Sequence, residues 1–435
     1  MTTPIYSRIA DFLGSRGLLC IVKAPPGSGK SFNLLESLDE ILENDSRVAI
    51  AAQTNNQVDD LCIKFARRYP TREIIRFSSK FYTAPDDFPP SVIIESEKSN
   101  LPEGSCTIIS TCSKLGLTKL LKPFDVLLID EAWQMTWAAF ITVKETAPRY
   151  VLIGDPGQIP PTVTVDCDRW ETSVTAPHYP APQVMLGADG LRALITGLEL
   201  DTCRRLPYDS VDLIKTFYDF DFDAHAKPGE RYVRASKAGN GDAIDTAIDR
   251  LQEHSTVILT YPTDETGAPI ETDQELAEFV AAVAARLLER KCMISTNPDE
   301  TKNPRALSAD DVGIVSTHNQ MNTAITSSLT GSTGNIRVTT PERWQGLERP
   351  VMIAVHPLSG VSIPSSFDLE TGRLCVMASR HQSACIIVTR DHVGETLVTK
   401  LPSGDHALGA NDVSGRGHAQ HTSFWRYHEE RGLIV

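Results

Sequence analysis

The stretch APPGSGKS, Ala24 to Ser31, constrains this chain more than any other. It follows an apolar run, LLCIVKA from Leu18. It precedes SFNLLESLDEILEN, whose apolar residues Phe32, Leu34, Leu35, Leu38, Ile41 and Leu42 have helical spacing. A strand, a glycine-rich loop and a helix in that order aim backbone N–H groups at one point, where they can hold phosphate oxygens. Pro26, Gly27, Ser28 and Gly29 form the expected cradle, and the glycines let the backbone come close. Lys30 supplies a point charge for the β- and γ-phosphates, and Ser31 a hydroxyl for Mg²⁺. ATP and Mg²⁺ are therefore the expected cofactors.

The rest of the first half alternates strand-like and helix-like pieces. VAIAAQ (Val48), CTIIST (Cys106), DVLLIDEA (Asp125) and YVLIGD (Tyr150) are continuous apolar runs. Such runs suit parallel strands covered on both faces. A second set begins near residue 200 with STVILTYP (Ser255), DVGIVSTH (Asp311), NIRVTT (Asn335), PVMIAVH (Pro350), LCVMAS (Leu374) and ACIIVTR (Ala384). EFVAAVAARLLERK, Glu278 to Lys291, is an amphipathic helix between them. The expectation is two α/β domains in tandem with parallel sheets: 1–199, carrying a small insertion over 68–103, and 200–400. A loop-rich tail, 401–435, follows, and its closing WRYHEERGLIV docks back as a short helix.

The chain has 435 residues, enough for two or three domains. No apolar run is long enough to span a bilayer, and the N-terminus lacks the apolar block of a secretory signal, so a cytoplasmic protein with no membrane partner is expected. The nine cysteines form no CxxC pair and read as reduced, mostly buried thiols. The net charge of −14 argues against broad electrostatic attraction to nucleic acid but leaves room for a local basic groove.

LLIDEAWQM ends an apolar strand in Asp130 and Glu131. Carboxylates there lie at the C-terminal edge of the sheet, where α/β folds bind ligands. Asp130 can hold Mg²⁺, and Glu131 can take a proton from an attacking water.

Several further segments resemble one family in order and spacing across about residues 18 to 390. AAQTNNQVDDL (Ala51), STCSKL (Ser110), VLIGDPGQIPP (Val151), LDTCRRLP (Leu200), TTPERWQGLERPVMIAV (Thr339) and LCVMASRHQSACIIVT (Leu374) are similar to successive motifs of superfamily-1 helicases, in particular the Upf-like branch. The resemblance implies two RecA-like domains with ATP in the cleft between them. It assigns Gln158 to the γ-phosphate or its water, and Arg204 and Arg380 to the arginine fingers, with Arg205 the alternative to Arg204. Such a finger can be worth ~10³-fold or more in rate. Gln345 and Glu348 match residues facing the γ-phosphate side and the ribose. Thr54, Asn55, Ser110, Thr111, Thr317, His318, Thr339 and Thr340 match contacts to a nucleic-acid strand. Short hydroxyl, amide and imidazole groups of this kind hold phosphate and sugar without reading sequence.

The implied activity is ATP-driven movement on single-stranded nucleic acid, DNA before RNA, 5′-to-3′, with duplex unwinding. Protein partners in replication, repair or RNA processing would go with it. The alternatives are an RNA helicase, a nucleoprotein remodeller that does not unwind, and an ATP-switched clamp. Two departures stand out. No glutamine precedes Gln53, where the family usually reads adenine, and Met321 stands where the family often has glutamine. Trp133, Trp137 and Trp344 read as packing residues. Asp59 with Asp60, Asp86 with Asp87, and the His418/His421 pair read as solvated.

Overall fold

The structure, a computed structural model, describes residues 3–86, 88–170, 172–263, 272–402 and 412–435. The chain divides into two compact units. The first comprises residues 1–156 and 160–201. The second takes in 202 onward and also Gly157–Ile159.

An eight-stranded sheet organises the first unit. Its strands are β1 (Leu19–Lys23), β2 (Arg47–Ala52), β3 (Ile74–Phe77), β4 (Val92–Glu95), β5 (Cys106–Thr111), β6 (Val126–Ile129), β7 (Tyr150–Gly154) and β8 (Ile195–Glu199). The spatial order is β4-β3-β5-β2-β6-β7-β1-β8, and every pairing is parallel. The continuous apolar runs follow from double-sided burial. Val48, Ile50 and Ala52 of β2 join one core, while Ala49 and Ala51 join another on the opposite face.

The expected insertion over 68–103 is instead part of this sheet, because β3 and β4 extend its edge. Buried Arg76 of β3 bonds Asp59 at 2.9 Å, and Tyr82 donates to the same carboxylate at 2.7 Å. Asp59 is therefore no solvated residue, whereas Asp60 pairs with Lys64 on the surface. Asp87 lies outside the described residues.

The second unit has a five-stranded parallel sheet. Its order is Thr256–Tyr261, His381–Arg390, Arg349–Val355, Val312–Val315, Arg337–Thr339. The amphipathic helix spans Gln274–Glu289 and buries Leu276, Val280, Val283 and Leu287 against one face. The run LCVMAS is a helix, Thr371–Ala378, rather than a strand. A six-residue apolar run has no period that separates the two, and here Glu370 caps the backbone N–H groups of Gly372 and Arg373.

The tail also differs from expectation. Val413–Glu430 forms an 18-residue helix that begins within the segment read as a loop. His421 and Phe424 on it are fully buried. Beyond it, Leu433 and Val435 bond the backbone of Ile258, adding to the edge of the sheet. Trp133 and Trp344 are buried, and Trp137 stacks on Phe140, as packing residues do. None of the nine cysteines is paired in a disulfide among the described residues, and seven are buried. Among the described residues no helix is long and apolar enough to cross a membrane.

Candidate functional site

The first unit assembles its chemistry at the C-terminal ends of three adjacent strands. β1 runs into the glycine loop, β6 into Asp130 and Glu131, and β7, which lies between them, into Gly154 and Asp155. Gly27 and Gly29 take left-handed φ values of 65° and 78°, which only glycine adopts without penalty. Gly29 then starts the helix Lys30–Glu36.

Two contacts join the loop to β6. Ser31 Oγ donates to Asp130 Oδ2 at 2.7 Å, and Lys30 Nζ lies 3.3 Å from Glu131 Oε1. Burial, reinforced by the neighbouring Glu131 charge, pushes the Asp130 carboxyl up to about 6, against the Ser31 bond and the Lys30 charge. A divalent cation fits these donors. Mg²⁺ takes a few protein oxygens and fills its remaining positions with water and substrate phosphate. Ser28 is 3 % exposed, yet its hydroxyl has no partner among the described residues. A buried unpaired hydroxyl in a phosphate loop is what a bound anion would satisfy.

Glu131 has a left-handed backbone, φ 51° and ψ 43°. For a non-glycine residue this is an uncommon conformation, and such residues cluster at reactive sites. Its surroundings enforce it. Gly154 packs so closely that a Cβ there would lie 2.9 Å from Ala132 N and 2.9 Å from the Trp133 ring. The glycine of GDPGQ thus lets β7 close against the turn that presents Glu131.

The second unit gathers arginines near the N-terminal ends of two neighbouring strands. Arg205 bonds Glu348 and, at 3.3 Å, the carbonyl of Ser379. Gln382 donates to the other Glu348 oxygen at 2.7 Å. Burial favours the protonated form of Glu348. The Arg205 charge and bond, then Gln382 and the Arg380 charge, overcome it and hold the carboxyl below its usual value. Arg380 is 1 % exposed and immediately precedes the strand His381–Arg390.

Arg204 has an exposed side chain, and its carbonyl accepts from Arg231 at 2.6 Å. Arg231 carries no motif signature and was not legible in the sequence. Burial pulls its guanidinium below the usual arginine range. Gln345 Nε2 is buried without a partner among the described residues. Gln158, expected with the first domain, belongs to the second unit. Gly372 packs on it so tightly that a Cβ would meet its carbonyl carbon at 2.7 Å.

The expected strand contacts mostly sit where parallel strands give way to helices. Thr54 caps the helix Asn55–Arg68 in a capping box with Gln57. Thr111 caps Cys112–Leu117, accepting from Lys114 N at 3.2 Å. In the second unit His318 precedes Asn319–Ser328, and Thr340 precedes Pro341–Trp344. Thr317 and His318 are half-buried and share a 3.0 Å hydrogen bond. Thr339 and Thr340 are each 8 % exposed.

Ser110 does not belong to this set. It is fully buried in β5 and donates to the Phe77 carbonyl at 2.7 Å, so no strand can reach it. Alternation explains the miss, since the register that exposes Thr111 turns Ser110 inward. Asn55 is exposed, but its carbonyl oxygen already accepts from Arg76 at 2.9 Å. Met321, at the departure noted above, is buried.

A family model described as an AAA domain matches residues 93–165, which include Asp130, Glu131 and Gln158. The DNA replication ATP-dependent helicase/nuclease DNA2 of Saccharomyces cerevisiae is 26% identical over 157 residues, covering 34% of this chain and 10% of that protein. Over this stretch the chain is similar to helicases of the superfamily-1, Upf-like kind. A second helicase relative, the DNA replication ATP-dependent helicase/nuclease JHS1 of Arabidopsis thaliana, is 29% identical over 154 residues, covering 33% of this chain and 11% of that protein. The aligned region thus spans about a tenth of these two helicases. Among solved structures, the arterivirus nonstructural protein 10 helicase is similar over 88% of this chain and 61% of its own, at 16% identity and a TM-score of 0.43. The same helicase in complex with DNA matches over 90% and 64%, at 15% identity and a TM-score of 0.43.

Proposed function

We propose that this chain is a nucleoside-triphosphate-driven motor that moves on single-stranded nucleic acid, DNA in preference to RNA, in the 5′-to-3′ direction, and opens duplex ahead of it. The observation that carries the reading is the pairing of the glycine loop with the end of β6: Ser31 to Asp130 at 2.7 Å and Lys30 to Glu131 at 3.3 Å. Phosphate held in the loop takes over the Lys30 charge. That leaves the Glu131 carboxylate to accept the proton of a water attacking the γ-phosphorus. Ser31 and Asp130 would hold Mg²⁺, which would supply positive charge against the phosphate oxygens.

Arg204 and Arg380 supply cationic stabilisation of the transferring phosphoryl group, and Gln158 and Gln345 sense its presence. Thr54, Thr111, His318 and Thr340 stand at helix starts, where backbone N–H groups favour phosphate, so they suit a strand backbone without base readout. Loss of the γ-phosphate contacts alternately loosens and tightens this grip, which turns hydrolysis into a step. A passive ATP-switched clamp has no need of Glu131 or the arginines, and the chain carries Glu131, Arg204 and Arg380.

The test is phosphate release with no polymer, with single-stranded DNA and with single-stranded RNA, alongside Glu131→Gln. Stimulation by DNA that vanishes in the variant supports the motor. A rate indifferent to both polymers overturns it. Stimulation by RNA alone replaces the track.

A further inference from the structure

Arg380 stands in a run of three buried residues, Ser379, Arg380 and His381, that leads into the strand His381–Arg390. The backbone of this run is tied on both sides. The Ser379 carbonyl accepts from Arg205 at 3.3 Å, and the Arg380 carbonyl accepts from Arg349 N at 3.0 Å. The His381 ring makes a separate contact. Its Nε2 shares a 2.7 Å hydrogen bond with Ser210 Oγ. Ser210 is 1 % exposed and lies in the helix Tyr208–Lys215, which follows Arg204 and Arg205 after only Leu206 and Pro207. The same hydroxyl lies 2.5 Å from Ser255 Oγ, and Ser255 N donates to Asp209 Oδ2 at 2.7 Å.

The segment that carries Arg204 and Arg205 therefore grips the segment that carries Arg380 at two points, all within the second unit. One lies before Arg380, at the Ser379 carbonyl, and one after it, at the His381 ring. A single contact leaves a pivot, whereas two contacts fix position and rotation together. Packing alone does not call for a histidine here, because an apolar side chain fills a buried position without desolvating two nitrogens. Burial, then the Arg205 charge, hold His381 down to about 3, so the ring is neutral and acts through its hydrogen bond. A cation that stabilises a transition state must be in place before the charge develops, and a small misplacement costs rate without costing binding.

We propose that the Ser210–His381 bond is a positioning lock that sets Arg380 in register with Arg204. The proposal rests on the reading of those two arginines as the cations of phosphoryl transfer and adds what aligns them.

The experiment measures steady-state phosphate release by the full chain with Mg²⁺ and ATP, and the binding of a non-hydrolysable ATP analogue by calorimetry, whose stoichiometry gives the folded fraction. Ser210→Ala, which removes a single oxygen, is expected to lower kcat about tenfold with KM and analogue affinity unchanged. His381→Leu lowers kcat equally, and the double variant falls no further, because both changes break one bond. His381→Gln, whose amide nitrogen can stand where Nε2 does, restores most of the rate. Ser255→Ala removes the other partner of the Ser210 hydroxyl and keeps the native kcat. A native kcat in Ser210→Ala overturns the proposal. So does an equal kcat loss in Ser255→Ala, which would mark the cluster as packing, or a His381→Gln no faster than His381→Leu. Arg380→Ala separates the two levels. A native kcat there shows that the cation reading has failed and the lock with it. A large loss there beside a native Ser210→Ala upholds the cation and overturns the lock alone.

Discussion

The two units hold charge in opposite ways. In the first, the groups that follow β1 and β6 pair with one another: Lys30 lies against Glu131 as an ion pair, and the Ser31 hydroxyl donates to Asp130. In the second, Arg205 bonds Glu348, the charges of Arg380 and Arg231 act on the same carboxylate, and Arg231 also bonds the carbonyl of the exposed Arg204. The first arrangement is a preformed site whose internal pairs a ligand must displace. The second is an excess of positive charge that an anion would complete.

The largest effect should come from the preformed half. Glu131→Gln keeps the shape but removes the base, so phosphate release should fall by ~10³-fold or more while nucleotide binding persists. Loss of binding instead would mean that the Lys30–Glu131 pair is chiefly structural. Next comes the cationic half. Arg204→Ala should lower kcat by ~10³-fold with KM little changed, as for a group that acts only on the transition state. Arg205→Ala should act through release of Glu348, and Arg205→Lys should not restore the forked contact to Glu348 and Ser379. A larger kcat loss in Arg205→Ala than in Arg204→Ala would exchange the two roles.

The units should also part under acid. In the second, burial holds His356 well below the usual histidine range, His421 down to about 3 and His428 down to about 4. His392 and His418 lie nearby, and Arg431 adds positive charge. Histidines with lowered folded-state pKa values are neutral when folded. Their contribution is complete above about pH 6.5 and is lost as pH falls toward 4, by about 1.4 kcal/mol per pH unit for each group. Thermal unfolding followed between pH 7 and 5 should show the second unit failing first, and His421→Phe should flatten its slope. A first unit that melts earlier would contradict this.

The smallest effect should be Gly154→Ala. The added methyl meets Ala132 N and Trp133 at 2.9 Å and should cost about 1–3 kcal/mol in denaturant unfolding. It should also slow hydrolysis by displacing the turn that presents Glu131. A normal rate would mean that the left-handed geometry of Glu131 does not depend on this close approach.

Local order in the chain made much of this legible. The continuous apolar runs became parallel strands because each face of both sheets is covered. The glycine loop and the Asp130–Glu131 pair were readable because their chemistry depends on a few residues at fixed spacing. Where expectation failed, a contact from outside the segment itself decided. LCVMAS could be strand or helix until Glu370 capped it. Ser110 resembled a strand contact until β3 supplied the Phe77 carbonyl. Asp59 looked solvated until Arg76 and Tyr82 closed on it. His421 looked like part of an open loop until the C-terminal helix buried it.

The sequence by itself determined the fold class, the glycine loop between a strand and a helix, and the carboxylates that end the neighbouring strand. These follow from side-chain chemistry and from the two periods, near 2 and 3.6 residues, that an isolated segment already carries. Only the tertiary structure decided which arginine is exposed, that Arg231 supports Arg204, that Glu131 is held in a left-handed turn, and that Phe32 is exposed rather than buried. Each of these depends on desolvation and close packing between residues distant in sequence, and a linear pattern does not encode those contacts one by one.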